Sequence, residues 1–360
     1  MKKINECLVV GAGFVGRATA LQILTALPDM KVAFSDTDFY KGDEAVTALS
    51  DYKGRLTYGS DEIMARYHWK AVFVCVPTNP GPNGDLDCSA VFSVLDQYQA
   101  DFYIVKSTLS FAAAKQLSAR VGAPVLTAPE FLREVNWRED CLNMDRSLVG
   151  IPNVDIPIAA SIIEAVKFYD SIVRPLMKDS AHFASPNPVS NVMTYAEAAI
   201  AKLAANAFLA TRLTQFNVVA EFCAANGLHV ESVLDGMRQD PRIGHGHSRP
   251  GHGYGGSCFP KDVRSLGALI PFYAEVDATN HRLQQQQICR IQRAVMEARA
   301  QQEQDGTTDT TYIKVVIWTP HNEAVKNPND DLVRWFNLNL DVQCEIKVGK
   351  RFDFTVKIQD

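Results

Sequence analysis

The chain has 360 residues and a formal net charge of −5, with 47% hydrophobic and 21% charged residues. That composition suits a globular core and excludes disordered, collagenous and coiled-coil chains, while a prior of ~150 residues per domain points to two or three domains. No apolar run approaches the ~18 residues of a spanning helix, and no block of Lys or Arg forms a phosphate-backbone footprint. A soluble, cytoplasmic protein with neither a membrane span nor a nucleic-acid partner is therefore expected. The eight cysteines include no CxxC pair, which argues against a disulfide framework or a zinc ribbon.

In chain order, residues 5–10 form a short apolar strand candidate that runs into Gly11, Gly13 and Gly16. An apolar helix pattern follows through Leu27, and then a second strand at Lys31–Phe34. Further strand candidates lie at Ala71–Val76, Phe102–Val105, Val125–Ala128 and Ser147–Gly150, spaced by helix-length segments. This alternation predicts a doubly wound parallel sheet with helices on both faces. From about Val192 to Asn226 the chain is Ala-rich without Gly or Pro and apolar at helical spacing, which predicts one long helix. A Gly-rich loop at 244–256, a Gln-rich helix near 280–302 and a polar linker ending near Thr311 come next. The remainder offers strand candidates at Ile313–Trp318, Val342–Val348 and Phe352–Ile358.

The first glycine cluster, GAGFVG, gains meaning from its setting between a strand and a helix, with Asp36 twenty residues past Gly16. Gly11, Gly13 and Gly16, with Phe14 and Val15 between them, allow a tight turn and close approach of a pyrophosphate to a helix N-terminus. Asp36 accepts from a ribose 2′-hydroxyl and repels a 2′-phosphate, so NAD is the expected cofactor rather than NADP. The second cluster, GHGYGGSCFPKD, sets Cys258 at the end of a glycine-dense loop with Lys261 and Asp262 just after it, where a cation favours a nucleophilic thiolate. His245, His247 and His252 share this loop but lack acidic partners at ligand spacing, so no metal site is expected.

Together these pieces resemble the UDP-glucose/GDP-mannose dehydrogenase family. The matching segments are GAGFVG with Asp36, VPTN around Thr78, LDCSAV, VKSTLS around Thr108, APEFLRE at 128–134, DRSLVG at 145–150, AKLAANAFLA at 201–210, DPRIG at 240–244 and GYGGSCFPKDV at 253–263. They stand in family order over the first ~300 residues. The resemblance implies oxidation of a sugar C6 alcohol to a carboxylate, in two hydride transfers to NAD, through a thiohemiacetal and a thioester on Cys258. It implies that Lys202 and Asn206, whose spacing of four also places them on one helix face, stabilise the oxyanion and handle the alcohol proton. Asp262 and Thr108 are implied to position the hydrolytic water, Glu134 to lie near nicotinamide and water, and Glu130 near the sugar and that water. Lys41, Thr78 and Thr108 match cofactor positions. Phe131, Leu132, Arg133, Arg242, Tyr254 and Gly255 match positions that hold the UDP-sugar. Arg242 would reach a neighbouring subunit and the long helix would form a homodimer core.

The resemblance thus implies an NAD-binding domain over 1–185, a helical dimerisation domain carrying the Cys loop over 186–305, and a shortened UDP-sugar domain over 311–360. In that last domain the family's FK..TDD.R signature survives only as VKNPNDDLV, with Lys326 as its candidate contact. Ala199 and Val218 stand where relatives favour Glu. The closest match is to members that act on UDP-glucose to give UDP-glucuronate, a polysaccharide precursor. Two alternatives stay open: action on GDP-mannose or a UDP-N-acetylhexosamine, and a catalytically weak NAD-binding dimer with a degenerate nucleotide-sugar domain.

Overall fold

Residues 2–118, 124–152, 159–178, 190–305, 312–319, 343–348 and 353–359 are described by a computed structural model. The chain divides into two compact units, Met1–Leu203 and Ala204–Asp360.

The first unit holds strands β1 (Lys2–Lys3), β2 (Cys7–Val10), β3 (Val32–Ser35), β4 (Leu56–Tyr58), β5 (Tyr67–Val74), β6 (Gln99–Val105), β7 (Val125–Thr127), β8 (Leu148–Ile151) and β9 (Asn191–Thr194). Its helices are α1 (Phe14–Ala26), α2 (Phe39–Ala48), α3 (Asp61–Met64), α4 (Ser89–Gln97), α5 (Phe111–Ser118), α6 (Trp137–Leu142) and α7 (Ala160–Val173). The strands form one sheet in the order β4-β3-β2-β5-β6-β7-β8-β9, with β1 alongside β5. Neighbours run parallel, as expected, except at β7 and β8, which are antiparallel with Thr127 opposite Gly150. The strands that open this sheet are apolar throughout because both faces are covered: Cys7, Leu8 and Val9, Val32 to Phe34, and Ala71 to Val74 are at most 1% exposed.

α8 (Tyr195–Ala225) begins where β9 ends, three residues inside the helix expected from the sequence. The boundary is set by a capping box: Thr194 N donates to Glu197 Oε2 at 2.7 Å, and Glu197 N donates back to Thr194 Oγ1 at 3.3 Å. At its far end Gly227 takes φ +67°, which lets Leu228 N reach the Cys223 carbonyl at 2.9 Å and stops the helix.

The second unit continues with α9 (Val230–Arg238), α10 (Phe259–Gly267) and α11 (Pro271–Asp305), the last longer at both ends than the Gln-rich pattern predicted. β10 (Tyr312–Thr319), β11 (Gln343–Val348) and β12 (Asp353–Gln359) lie within a residue or two of the tail's strand candidates. β10 is central, parallel to β11 and antiparallel to β12. Lys326 lies outside the described residues.

Candidate active site

In the first unit the candidate cofactor residues cluster by topology. Gly11, Gly13 and Gly16 follow β2, Asp36 follows β3, Thr78 lies beyond β5, Thr108 beyond β6 and Glu130–Glu134 beyond β7. All lie past carboxyl ends of parallel strands, with β3 on one side of β2 and β5 on the other, the crevice where open α/β sheets bind ligands.

The three glycines are glycines for different reasons. Gly11 has φ +97°, and a Cβ there would fall 2.5 Å from the Cys75 carbonyl oxygen, while a Cβ on Gly16 would fall 1.9 Å from the Gly11 oxygen. Gly13 would meet no protein atom within 4 Å. The outer two serve the chain's own packing; the middle one leaves room at the helix N-terminus for a ligand, which is the fit a dinucleotide pyrophosphate requires. Asp36 Oδ2 accepts from Ala12 N at 2.7 Å and Oδ1 from Asp38 N at 2.9 Å, so its carboxylate is already oriented. Burial raises the Tyr58 hydroxyl pKa, and the charges of Asp36, Asp61 and Asp38 raise it further. The ribose end of the site thus carries a negative field that disfavours a 2′-phosphate.

The candidate residues of the APEFLRE segment meet partners that sequence reasoning did not single out, Lys106, Tyr169 and Arg146. Lys106 and Glu130 form an ion pair, with side chains 1% and 8% exposed. Lys106 Nζ also donates to Tyr169 Oη at 2.7 Å, and the carboxylate and the phenol together hold the ammonium above its usual pKa against the desolvation that lowers it. Removing one member of such a buried pair costs about 3–5 kcal/mol. Next along the chain, the Phe131 ring carries the Arg146 guanidinium at 3.8 Å and the Lys202 ammonium at 5.0 Å. Arg133 turns to Asp140, at 3.0 and 2.5 Å from its two carboxylate oxygens, and these hydrogen bonds hold the Asp140 carboxyl below its ordinary pKa. Leu132 is half-buried against the core, Thr78 is buried, Thr108 is half-buried, and Lys41 and Glu134 are exposed.

In the second unit Cys258 caps α10 and is half-buried, with Ser257 Oγ 3.6 Å from its Sγ. Asp262, in the first turn of that helix, is 0% exposed. Its carboxylate accepts from Asn206 Nδ2 at 2.6 Å and Lys261 Nζ at 2.7 Å, and its own N donates to the Cys258 carbonyl at 3.1 Å. A buried carboxylate with two such donors is an organised group, one turn from the thiol at a helix end whose dipole suits an anion. On α8, where the division between the units falls, Lys202 of the first and Asn206 of the second lie one turn apart, and both are buried.

The glycine loop is clamped by residues that no motif announced. Asn280 Oδ1 accepts from Tyr254 N at 2.9 Å and Asn280 Nδ2 donates to Tyr254 O at 3.1 Å, while Asn217 Oδ1 accepts from Gly251 N at 2.7 Å. Tyr254 is 3% exposed and its hydroxyl donates to Asp277 at 2.8 Å, so it frames the loop. Gly255 is exposed beside it. Arg242 is exposed and bonds to its own near neighbour Asp240 at 2.6 Å. His245, His247 and His252 belong to no metal-ligating cluster among the described residues.

Two family models match the chain. The NAD-binding domain of the UDP-glucose/GDP-mannose dehydrogenase family matches residues 5–166, and its central domain matches residues 196–284. The chain belongs to the UDP-glucose/GDP-mannose dehydrogenase family. It is 29% identical over 286 residues to the UDP-glucose 6-dehydrogenase of Pseudomonas aeruginosa, covering 72% of this chain and 60% of that one. It is 31% identical over 213 residues to that of Rickettsia typhi, covering 56% and 45%. The chain thus spans about half the length of the curated relatives it matches. Two solved structures share the fold. A UDP-glucose dehydrogenase from Pyrobaculum islandicum aligns with a TM-score of 0.64 at 22% identity, covering 95% of this chain and 81% of that one. A UDP-D-ManNAc dehydrogenase from Pyrococcus horikoshii aligns at 0.66 and 17%, covering 95% and 82%. Among the described residues no helix is long and apolar enough to cross a membrane.

Proposed function

We propose that the chain oxidises the C6 alcohol of UDP-glucose to the carboxylate of UDP-glucuronate, a four-electron reaction. The observation that carries this is the thiol of Cys258 at the N-terminus of α10, one turn from the fully buried, doubly bonded Asp262. An aldehyde lacks a carbon that can give up a second hydride until a nucleophile adds to it, and a simple alcohol dehydrogenase needs no thiol. The Gly11–Gly16 turn and Asp36 would hold NAD, which would supply the hydride acceptor for both oxidations.

The chain's own residues do the rest. Lys202 donates toward the C6 oxygen as charge builds on it, and Asn206 steadies the same oxygen while fixing the Asp262 carboxylate. The C6 alcohol loses its hydroxyl proton to water as its hydride leaves, which gives the aldehyde; the Cys258 thiol then adds to that carbon, its proton passing to the carbonyl oxygen, to give a thiohemiacetal. Loss of its hydride and hydroxyl proton leaves a thioester. Water then adds to the thioester carbon, Asp262 takes the water's proton, and the C–S bond breaks to release the carboxylate and the thiol. Thr108, Glu130 and Glu134 keep the water- and sugar-side roles that the resemblance gives them. The expected organisation is an NAD domain over 1–185, a central domain over 186–305 and a short nucleotide-sugar domain over 311–360. A homodimer through α8 is expected too, since Phe208 and Phe222 on that helix are 63% and 62% exposed.

The test is stoichiometry. With UDP-glucose limiting, two NADH should form per sugar, with NAD strongly preferred over NADP. One NADH per sugar, or turnover only with GDP-mannose or UDP-N-acetylglucosamine, overturns the reading. Light scattering reports the dimer, and a fully active monomer counts against it.

A further inference from the structure

Arg146 belongs to none of the roles assigned above, yet its position is fixed with care. β7 and β8 pair antiparallel with Thr127 opposite Gly150. Phe131 follows β7 and Arg146 precedes β8, and the guanidinium lies 3.8 Å from the ring centroid. The Lys202 ammonium lies over the same ring at 5.0 Å. Among the described residues Arg146 makes no hydrogen bond or ion pair. Asp145, the one charge recorded as acting on it, is itself paired with Lys178 at 3.1 Å.

Stacking holds a guanidinium plane on an aromatic face while leaving its N–H groups, which lie in that plane, free to bond outward. Arg146 is exposed overall, yet partial desolvation lowers its pKa from the ordinary value and the charge of Asp145 only partly opposes that shift. An anion bonded to the outward N–H groups would give the stacked guanidinium the partner it lacks among the described residues. Guanidinium geometry matches a carboxylate in particular, which it binds through two parallel hydrogen bonds.

We propose that Arg146 is a binding residue for the carboxylate that the reaction creates. Its outward N–H groups bond the C6 carboxylate of the sugar nucleotide beside the Phe131 ring, over which Lys202 also lies, and it contributes little to binding of the neutral C6 alcohol. The proposal rests on the functional reading above, which places Lys202 at the C6 oxygen. Arg146 therefore distinguishes product from substrate and sets how strongly product inhibits.

The experiment is calorimetric titration of the full-length protein and its Arg146→Gln and Arg146→Lys variants with UDP-glucose and, separately, UDP-glucuronate, NAD binding serving as the check on folding. Arg146→Gln should weaken UDP-glucuronate roughly 10-fold or more while UDP-glucose stays within about 2-fold, since a bond to a charged group is at stake for one ligand alone. Arg146→Lys should fall between. Equal weakening of both ligands, or of neither, with NAD binding intact overturns the proposal and leaves the functional reading standing. If the wild type binds GDP-mannose and its uronate instead of the UDP pair, the functional reading falls and the same comparison on that pair decides Arg146. A wild type that binds no nucleotide sugar overturns both.

Discussion

The two units build their candidate functional residues from different materials. In the first, the cofactor end is shaped by main chain: a turn of three glycines, a helix N-terminus, and a carboxylate held by the amides of Ala12 and Asp38. In the second, the chemistry depends on side-chain identities: a thiol on α10, and a carboxylate without exposure that is tied to Asn206 and Lys261. Main-chain geometry follows from spacing and can be read in a sequence. A side chain's partner depends on which elements pack together, which spacing does not show.

The largest effect expected from this contrast is at the thiol. Cys258→Ser should keep NAD binding and lower uronate formation by on the order of 10³-fold or more, measured as NADH release and product by chromatography. Uronate formation close to wild type would remove the thiol from the mechanism. Two alanine substitutions one turn apart probe the other unit. Gly16→Ala places a methyl group on the Gly11 carbonyl and should destabilise the fold by about 1–3 kcal/mol. Gly13→Ala meets no protein atom within 4 Å, so it should leave stability within about 0.5 kcal/mol and instead weaken NAD binding. Denaturant melts with NAD titrations on both variants check this, and a Gly13→Ala protein that unfolds early would show that the open space is not kept for a ligand.

A separate, pH-dependent effect concerns two buried thiols of the first unit. Burial pushes Cys75 and Cys141 up to about 12 from an ordinary 9.0. Both keep their protons in the folded chain at pH values where the unfolded chain has lost them. Their neutral burial is therefore without penalty below about pH 9, and stability should fall as pH rises from 9 toward 12. Urea midpoints at pH 8, 9.5 and 10.5 measure it, and Cys75→Ala with Cys141→Ala should flatten part of the decline.

The sheet's strands through Val125–Thr127 and Leu148–Ile151 were legible because buried strands are unbroken apolar runs. The reversal between them was not, since such a run carries no direction. Asn191–Thr194 was absorbed into the helix expectation although Thr194-Tyr-Ala-Glu197 is a capping-box spelling, the signal that would have marked the boundary. Asp36 and the glycines follow from spacing; Asn206 and Asp262 follow separately from resemblance, and the contact between them only from packing. Lys106 was visible as a lone charge ending the apolar run Phe102–Val105, yet its partners Glu130 and Tyr169 stand 24 and 63 residues away in sequence, and only the fold shows why it is tolerated. Arg146 carried a lesser signal, a cation just ahead of a strand.

The prior fixing of Asp36 has a consequence for how fast the dinucleotide is captured. Two amides hold the carboxylate in one rotamer before any ligand arrives, so the ribose meets a finished acceptor and no side-chain freedom is lost there on binding. Encounter, rather than rearrangement, then limits association at this end of the molecule. Differences in affinity among nicotinamide cofactors should accordingly appear as differences in residence time.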